Sequence, residues 1–257
     1  MSSINQIKII NSLATKKHRN KHNLYVAEGE KLVKELLLYK SSNPLWIFCT
    51  KDFHLNEFNK EILSKVEIVS YDDLKKISFV QTPNKVVGVF YQTENHLSIE
   101  NLKNELSLCL DTVQDPGNMG TIIRIADWFG IKNIICSKET SDIYNPKVVQ
   151  ATMGAITRVN VFYTNLLDFI PNYIESTNNP VYGTFLNGEN IYTKKLFNKG
   201  LIIMGNEGNG ISSEIEKLVT DKLLIPSFSS NQEKSESLNV GIATGIICSE
   251  FKKNSFF

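Results

Sequence analysis

From residue 106 onward, short apolar runs alternate with amphipathic stretches, and that rhythm restricts the chain to few folds. The runs at 106–113, 131–136, 159–163, 181–186, 201–204 and 223–225 carry almost no charge and read as strands buried on both faces. Between them, residues 121–129, 146–153, 166–175 and 212–219 repeat apolar side chains at helical spacing. Pro146 suits a first helical turn, and Ser212 or Ser213 suits an N-cap. Strands alternating with helices that cover both faces make a mainly parallel sheet, hence an α/β fold.

The first ninety or so residues repeat the alternation on a smaller scale. Strands are expected at 23–27, 44–49, 66–69 and 86–91. A helix carries the stripe Leu32, Val33, Leu36 and Leu37, and another spans 71–77. A polar connection over 93–105 divides a small α/β domain (1–98) from the second domain (106–257), and 257 residues are enough for both. The formal net charge of +1 gives no global field for nucleic acid but leaves room for a local one. The dense basic cluster is Lys16, Lys17, His18 and Arg19, with Lys21 and His22 behind it. It reads equally as a solvated face or as a contact with an RNA backbone.

No run approaches the ~18 apolar residues of a membrane span, and no secretory pattern opens the chain, so a cytoplasmic protein is expected. Cys49, Cys109, Cys136 and Cys248 lie far apart in apolar segments and read as buried thiols. The histidines lack ligand spacing, and no metal site is expected.

Open parallel sheets bind ligands beyond the C-terminal ends of their strands. Three loops qualify, at 114–120, 205–210 and 227–236, all rich in Gly, Asn and Ser. Neither GxGxxG after the first strand nor GxxxxGK[ST] is present, so a ligand held by its phosphates is disfavoured. A molecule with an adenine and a carboxylate, gripped by backbone groups, fits such loops better. The stretch 223–247 is distinctive: a strand stopped by Pro226, a polar loop, then a nearly uncharged helix with Gly241, Ala243 and Gly245. Arg124 reads as a surface residue or as a guanidinium held over a phosphate or carboxylate. Glu207 reads as a turn residue or a site residue, and Asn239 as a helix cap or a site residue.

These residues form a larger pattern. Asp115-Pro116-Gly117-Asn118-Met119-Gly120 with Arg124, then Met204-Gly205-Asn206-Glu207-Gly208-Asn209-Gly210, then Ile225-Pro226 with Ser237-Leu238-Asn239-Val240, resemble the three motifs of the SpoU (TrmH-like) methyltransferases of the SPOUT superfamily. Pro146-Lys147-Val148-Val149 and Met153-Gly154-Ala155 resemble the family too, so the likeness covers the second domain nearly end to end. The first domain, with Lys17, Arg19 and Glu28-Gly29, is similar to the small substrate-binding domain of many members. The loop before Ser237 is longer than in many members and lacks their glycine, and Gly241 stands where Ser or Ala is commoner.

The resemblance implies an enzyme that uses S-adenosylmethionine to methylate a ribose 2′-hydroxyl of RNA, with ribosomal RNA favoured over transfer RNA. It implies a C-terminal deep trefoil knot and a homodimer. By position, Thr184, Gly205, Ile225 and Leu238 would line the cofactor. Asn118, Arg124, Glu207, Ser237 and Asn239 would form the catalytic group, and Lys16, Lys17 and Arg19 would meet RNA. Two other classes stand beside this one: an RNA-binding protein of the same fold without activity, and a nucleotide-dependent enzyme of another α/β fold.

Overall fold

The computed structural model describes residues 4–39, 42–229 and 237–253. In chain order the first elements are α1 (Ile4–Ser12), α2 (Lys16–His22), β1 (Leu24–Glu28), α3 (Glu30–Leu38), β2 (Pro44–Cys49), α4 (Lys60–Leu63), β3 (Val66–Ile68), α5 (Tyr71–Lys75) and β4 (Val86–Tyr91). Then come α6 (Ile99–Leu102), β5 (Leu106–Leu110), α7 (Pro116–Trp128), β6 (Asn133–Cys136), α8 (Pro146–Thr152), β7 (Asn160–Tyr163) and α9 (Leu166–Thr177). The last are β8 (Val181–Asn190), β9 (Gly200–Met204), α10 (Ser213–Glu216), β10 (Asp221–Leu224) and α11 (Val240–Lys252).

The chain divides into two compact units, one from Met1–Glu94 with Asp142–Thr157, the other from Asn95–Ser141 with Arg158–Phe257. The first unit therefore includes α8, which sequence order had placed in the second domain. Its Val149 is fully buried in the core built on Leu32, Val33, Leu36 and Phe90, so apolar burial outweighs proximity along the chain.

The first unit is a four-stranded sheet in the order β1-β4-β2-β3, antiparallel except for the β2–β3 pair. Arg19 is one of the residues expected to meet RNA. Arg19 is 2 % exposed; its Nη1 donates to the carbonyls of Leu13 and Ala14, and its Nε and Nη2 donate to Asp142 at 3.0 and 2.5 Å. Four of the five N–H donors of this guanidinium are thus taken up inside the unit. Lys16 and Lys17, on the same short helix, are exposed.

Glu28, at the end of β1, is also buried, accepting from Ser78 Oγ at 2.5 Å and from the Phe79 amide at 2.6 Å. Burial raises its pKa above the ordinary 4.5, against the lowering effect of those hydrogen bonds. The folded carboxyl thus binds its proton more tightly than the unfolded one. The resulting stabilisation is complete below pH 4.5 and is lost as pH rises through the folded value. Glu28→Gln is expected to flatten this dependence, read as denaturant midpoints for both proteins across that window.

The second unit is a six-stranded, wholly parallel sheet in the order β10-β8-β9-β5-β6-β7. Its central strands β5 and β9 are buried along their whole length, as their uncharged sequences require. Cys109 and Cys136 lie inside this sheet and Cys248 on α11, all buried free thiols, as is Cys49 in the first unit. Several boundaries differ from expectation. The helix expected at 212–219 is the single turn α10, and β8 runs on to Asn190. Residues 116–120, expected as loop, are the first turns of α7. Asp115 caps that helix by accepting from the Asn118 amide at 2.8 Å, and Pro116 supplies a preset φ with no N–H to satisfy. Among the described residues, no helix is long and apolar enough to cross a membrane.

Candidate active site

The second unit's first central strand ends in a buried carboxylate. Asp111 follows β5 directly and is 5 % exposed; its Oδ2 accepts from both the amide and the hydroxyl of Ser212, each at 2.8 Å. The next residue, Thr112, has φ +61°, a left-handed conformation that costs a non-glycine residue on the order of 1 kcal/mol. The strain is offset locally. The Thr112 amide donates to Ser137 Oγ at 3.1 Å, and its carbonyl accepts from Asn206 Nδ2 at 2.8 Å. The loop after β5 and the loop after β9 are thereby joined.

The β9 loop is a tight turn. Asn206 and Gly210 exchange backbone hydrogen bonds at 2.8 and 2.9 Å, and Asn206 Oδ1 accepts from the amides of Gly208 and Asn209. Gly205 at its base tolerates no side chain: a Cβ there would lie 2.2 Å from the Gly210 carbonyl carbon and 2.3 Å from the Ile211 nitrogen. This turn presents Glu207 to the start of α7. Glu207 Oε1 accepts from Asn118 Nδ2 at 3.0 Å and from the Asp115 amide at 3.1 Å, while Oε2 accepts from the Gln114 amide at 3.3 Å.

Burial acts on Glu207 as the largest single influence and raises its pKa. The hydrogen bonds from Asn118 and from backbone amides together outweigh it, so the carboxyl lies below its ordinary 4.5. It is ionised at neutral pH.

Asn118 passes the connection on. Its Oδ1 accepts from Asn239 Nδ2 at 2.9 Å, and Asn239 Oδ1 caps α11 by accepting from the amides of Gly241 and Ile242 at 2.9 and 3.2 Å. Asn239 is therefore both a helix cap and a member of the cluster. Helices α7 and α11 pack closely behind it. A Cβ on Gly241 would lie 3.1 Å from Thr121 Cγ2.

Of the nine residues expected here, Asn118, Glu207 and Asn239 form one hydrogen-bonded line. Arg124 lies two turns along α7, exposed and, among the described residues, without an ion-pair partner. Ser237, two positions before Asn239, is exposed. Thr184 is half-buried on β8, its hydroxyl 3.5 Å from the Ile203 carbonyl. Ile225 is half-buried after β10, and Leu238 is 50 % exposed. Residues 230–236 of the long polar loop lie outside the described residues.

Of four residues that hold the cluster together, Asp111 and Thr112 escaped sequence reasoning, which had Asn206 only within a motif and Ser212 only as a helix cap. The signal for the first was an acid closing an uncharged strand. Leu186, two positions beyond Thr184 on β8 and 75 % exposed, was also missed.

Residues 105–249 match the SpoU rRNA Methylase family, which includes every loop just described. The chain belongs to the SpoU rRNA methylase family. Residues 5–88 match an MRM3-like substrate binding domain. Among similar proteins of this family is the 23S rRNA (guanosine(2553)-2'-O)-methyltransferase RlmP of Bacillus subtilis, 30 % identical over 243 residues, 94 % of each chain. A TrmH-family structure from Porphyromonas gingivalis is 37 % identical with a TM-score of 0.87, covering 98 % of this chain and 99 % of that one. The AdoMet-bound rRNA methyltransferase from Sinorhizobium meliloti is 29 % identical with a TM-score of 0.85, covering 98 % and 97 %.

Proposed function

We propose that this SpoU family member is a methyltransferase that uses S-adenosylmethionine to methylate a ribose 2′-hydroxyl of ribosomal RNA. The observation that carries this reading is the Glu207–Asn118–Asn239 line, which joins two loops of the parallel sheet's C-terminal edge to the start of α11, with the exposed Arg124 further along α7. The relatives' names support the substrate class, and the AdoMet-bound relative supports the cofactor.

The chain's own features fit that cofactor. Gly205 brings backbone against backbone at the end of β9, and the apolar side chains of Leu186 and Leu238 are left uncovered, as an adenine ring requires. Thr184, Gly205, Ile225 and Leu238 would hold it, and when bound it supplies an electrophilic methyl group on a sulfonium. Everything else is positioning by protein groups. Arg124 is the clamp for the phosphate next to the target ribose and favours negative charge developing on the 2′-oxygen. Its guanidinium stays charged and is a poor base. Ser237 and Asn239 orient the hydroxyl, while Glu207 fixes the Asn118 amide. Lys16 and Lys17, on the first unit, meet RNA.

Glu207→Gln turns an NH₂ group toward N–H donors. One frustrated donor at ~1–2 kcal/mol corresponds to about a tenfold loss of turnover, without rescue by raising pH. Steady-state kinetics with the variant reads this directly.

The domain division near residues 98–106, the trefoil knot and the homodimer belong to the same proposal. Trp128 on α7 and Ile242 on α11 are 85 % and 58 % exposed on two helices packed together, an apolar surface suited to a second copy. Mixing Arg124→Ala with Asn239→Ala protein tests whether the site is shared across that contact, since recovered activity requires one intact site built from two chains. The decisive experiment for the function is labelled-methyl transfer from S-adenosylmethionine to RNA of a deletion strain, followed by mapping of the modified ribose. Transfer to transfer RNA alone, or to neither RNA, overturns the proposal.

A further inference from the structure

Next to the cofactor wall, the second unit leaves aromatic rings uncovered. The Ile191 amide donates to the Leu224 carbonyl at 3.0 Å, so residue 192 is held beside the segment that begins at Ile225. There the rings of Tyr192 and Phe228 have centroids 6.4 Å apart and planes inclined by 34°. Phe228 is 85 % exposed and Tyr192 40 %.

A few residues further on, Phe197 is 49 % exposed with the Lys195 ammonium 5.7 Å from its centroid. The same segment carries cations in two different states. Lys194 is neutralised by Glu189 and Asp221, both at 2.9 Å. Lys195 and Lys199 are exposed and have no ion-pair partner among the described residues.

Phenylalanine gains nothing from water, so a ring this exposed beside a second exposed ring points to a partner with an apolar face. The uncompensated Lys195 ammonium, three residues after Tyr192, points to a partner that also carries negative charge. A nucleotide whose base is unstacked has both. Its base offers a π-face for the rings, and its phosphate meets Lys195. Paired A-form RNA hides those faces inside the helix.

We propose that Tyr192 and Phe228 form a stacking platform for an unpaired base of the RNA substrate, with Lys195 meeting a flanking phosphate. The inference rests on RNA being the substrate, and it narrows that substrate to a single-stranded or locally opened segment around the target ribose.

The test uses the full chain and a short, unstructured, fluorescein-labelled oligoribonucleotide, with the same strand in a duplex as the comparison, read by anisotropy. The wild type is expected to favour the single strand. Phe228→Ala and Tyr192→Ala are each expected to weaken single-strand binding about tenfold, and Phe228→Trp to keep it, because stacking needs a ring and not a particular one.

Unchanged affinity in both alanine variants overturns the platform. A loss of S-adenosylmethionine affinity by calorimetry with RNA binding intact also overturns it, because the rings would then cover the cofactor. A change in oligomeric mass with RNA binding intact does so too, placing the rings between copies. Methyl transfer by the wild type is measured separately. Transfer to ribosomal RNA alongside unaltered variant binding removes only the platform, whereas a wild type that binds no RNA removes the platform and the substrate reading together.

Discussion

Replacing Arg124 by alanine lowers methyl transfer to RNA by about 10²–10³-fold, the loss typical when one preorganised donor to a developing oxyanion is removed. S-adenosylmethionine affinity is expected to change little, because among the described residues Arg124 makes no hydrogen bond to the Glu207–Asn118–Asn239 line. Arg124 is exposed on α7, and none of that helix's buried positions depends on it, so the fold and the thermal midpoint are preserved. Arg124→Lys separates two roles. A point charge restores attraction for a phosphate but not the two parallel hydrogen bonds of a guanidinium, so turnover recovers only in part. Single-turnover rates with saturating cofactor, beside calorimetric cofactor affinity, give the answer. Near-full turnover of the lysine variant with unchanged pH dependence contradicts the clamp.

Replacing Arg19 by alanine lowers the stability of the first unit by about 3–5 kcal/mol, the loss expected when one partner of a buried ion pair is removed. The carboxylate of Asp142 is left behind in a nearly closed place, its side chain 13 % exposed, and the carbonyls of Leu13 and Ala14 lose their donor. Removing both partners with Arg19→Ala and Asp142→Ala is less damaging than the sum of the single changes, because no orphan charge remains. Urea denaturation of the three variants measures the coupling. Weakened RNA binding at full stability would instead return Arg19 to the RNA-contacting group.

The two arginines show how far sequence reached. Arg124 and Arg19 look alike in the sequence, each in an amphipathic or basic stretch near candidate site residues. Only the fold reveals that one is exposed, with no ion-pair partner among the described residues, while the other is buried against Asp142. The partner that decides this for Arg19 is 123 residues away in the chain. The same holds at the cluster. The motifs marked Asn118, Glu207 and Asn239 as candidates, but not that one carboxylate would gather two backbone amides and the Asn118 side chain. They also left Asp111 and Thr112 looking like the end of a strand.

What the sequence by itself determined is the local chemistry: buried parallel strands from uncharged runs, a helix start at Pro146, and candidate loops rich in small and amide residues. These follow from periodicity, capping and backbone sterics, which act over a few residues. Only the tertiary structure decided which long-range partners meet. It moved α8 into the first unit, turned Thr112 left-handed so that its carbonyl meets Asn206, and joined Glu207 to Asn239 through Asn118. Such contacts depend on where strands dozens of residues apart stop within one sheet, and no local pattern encodes that distance.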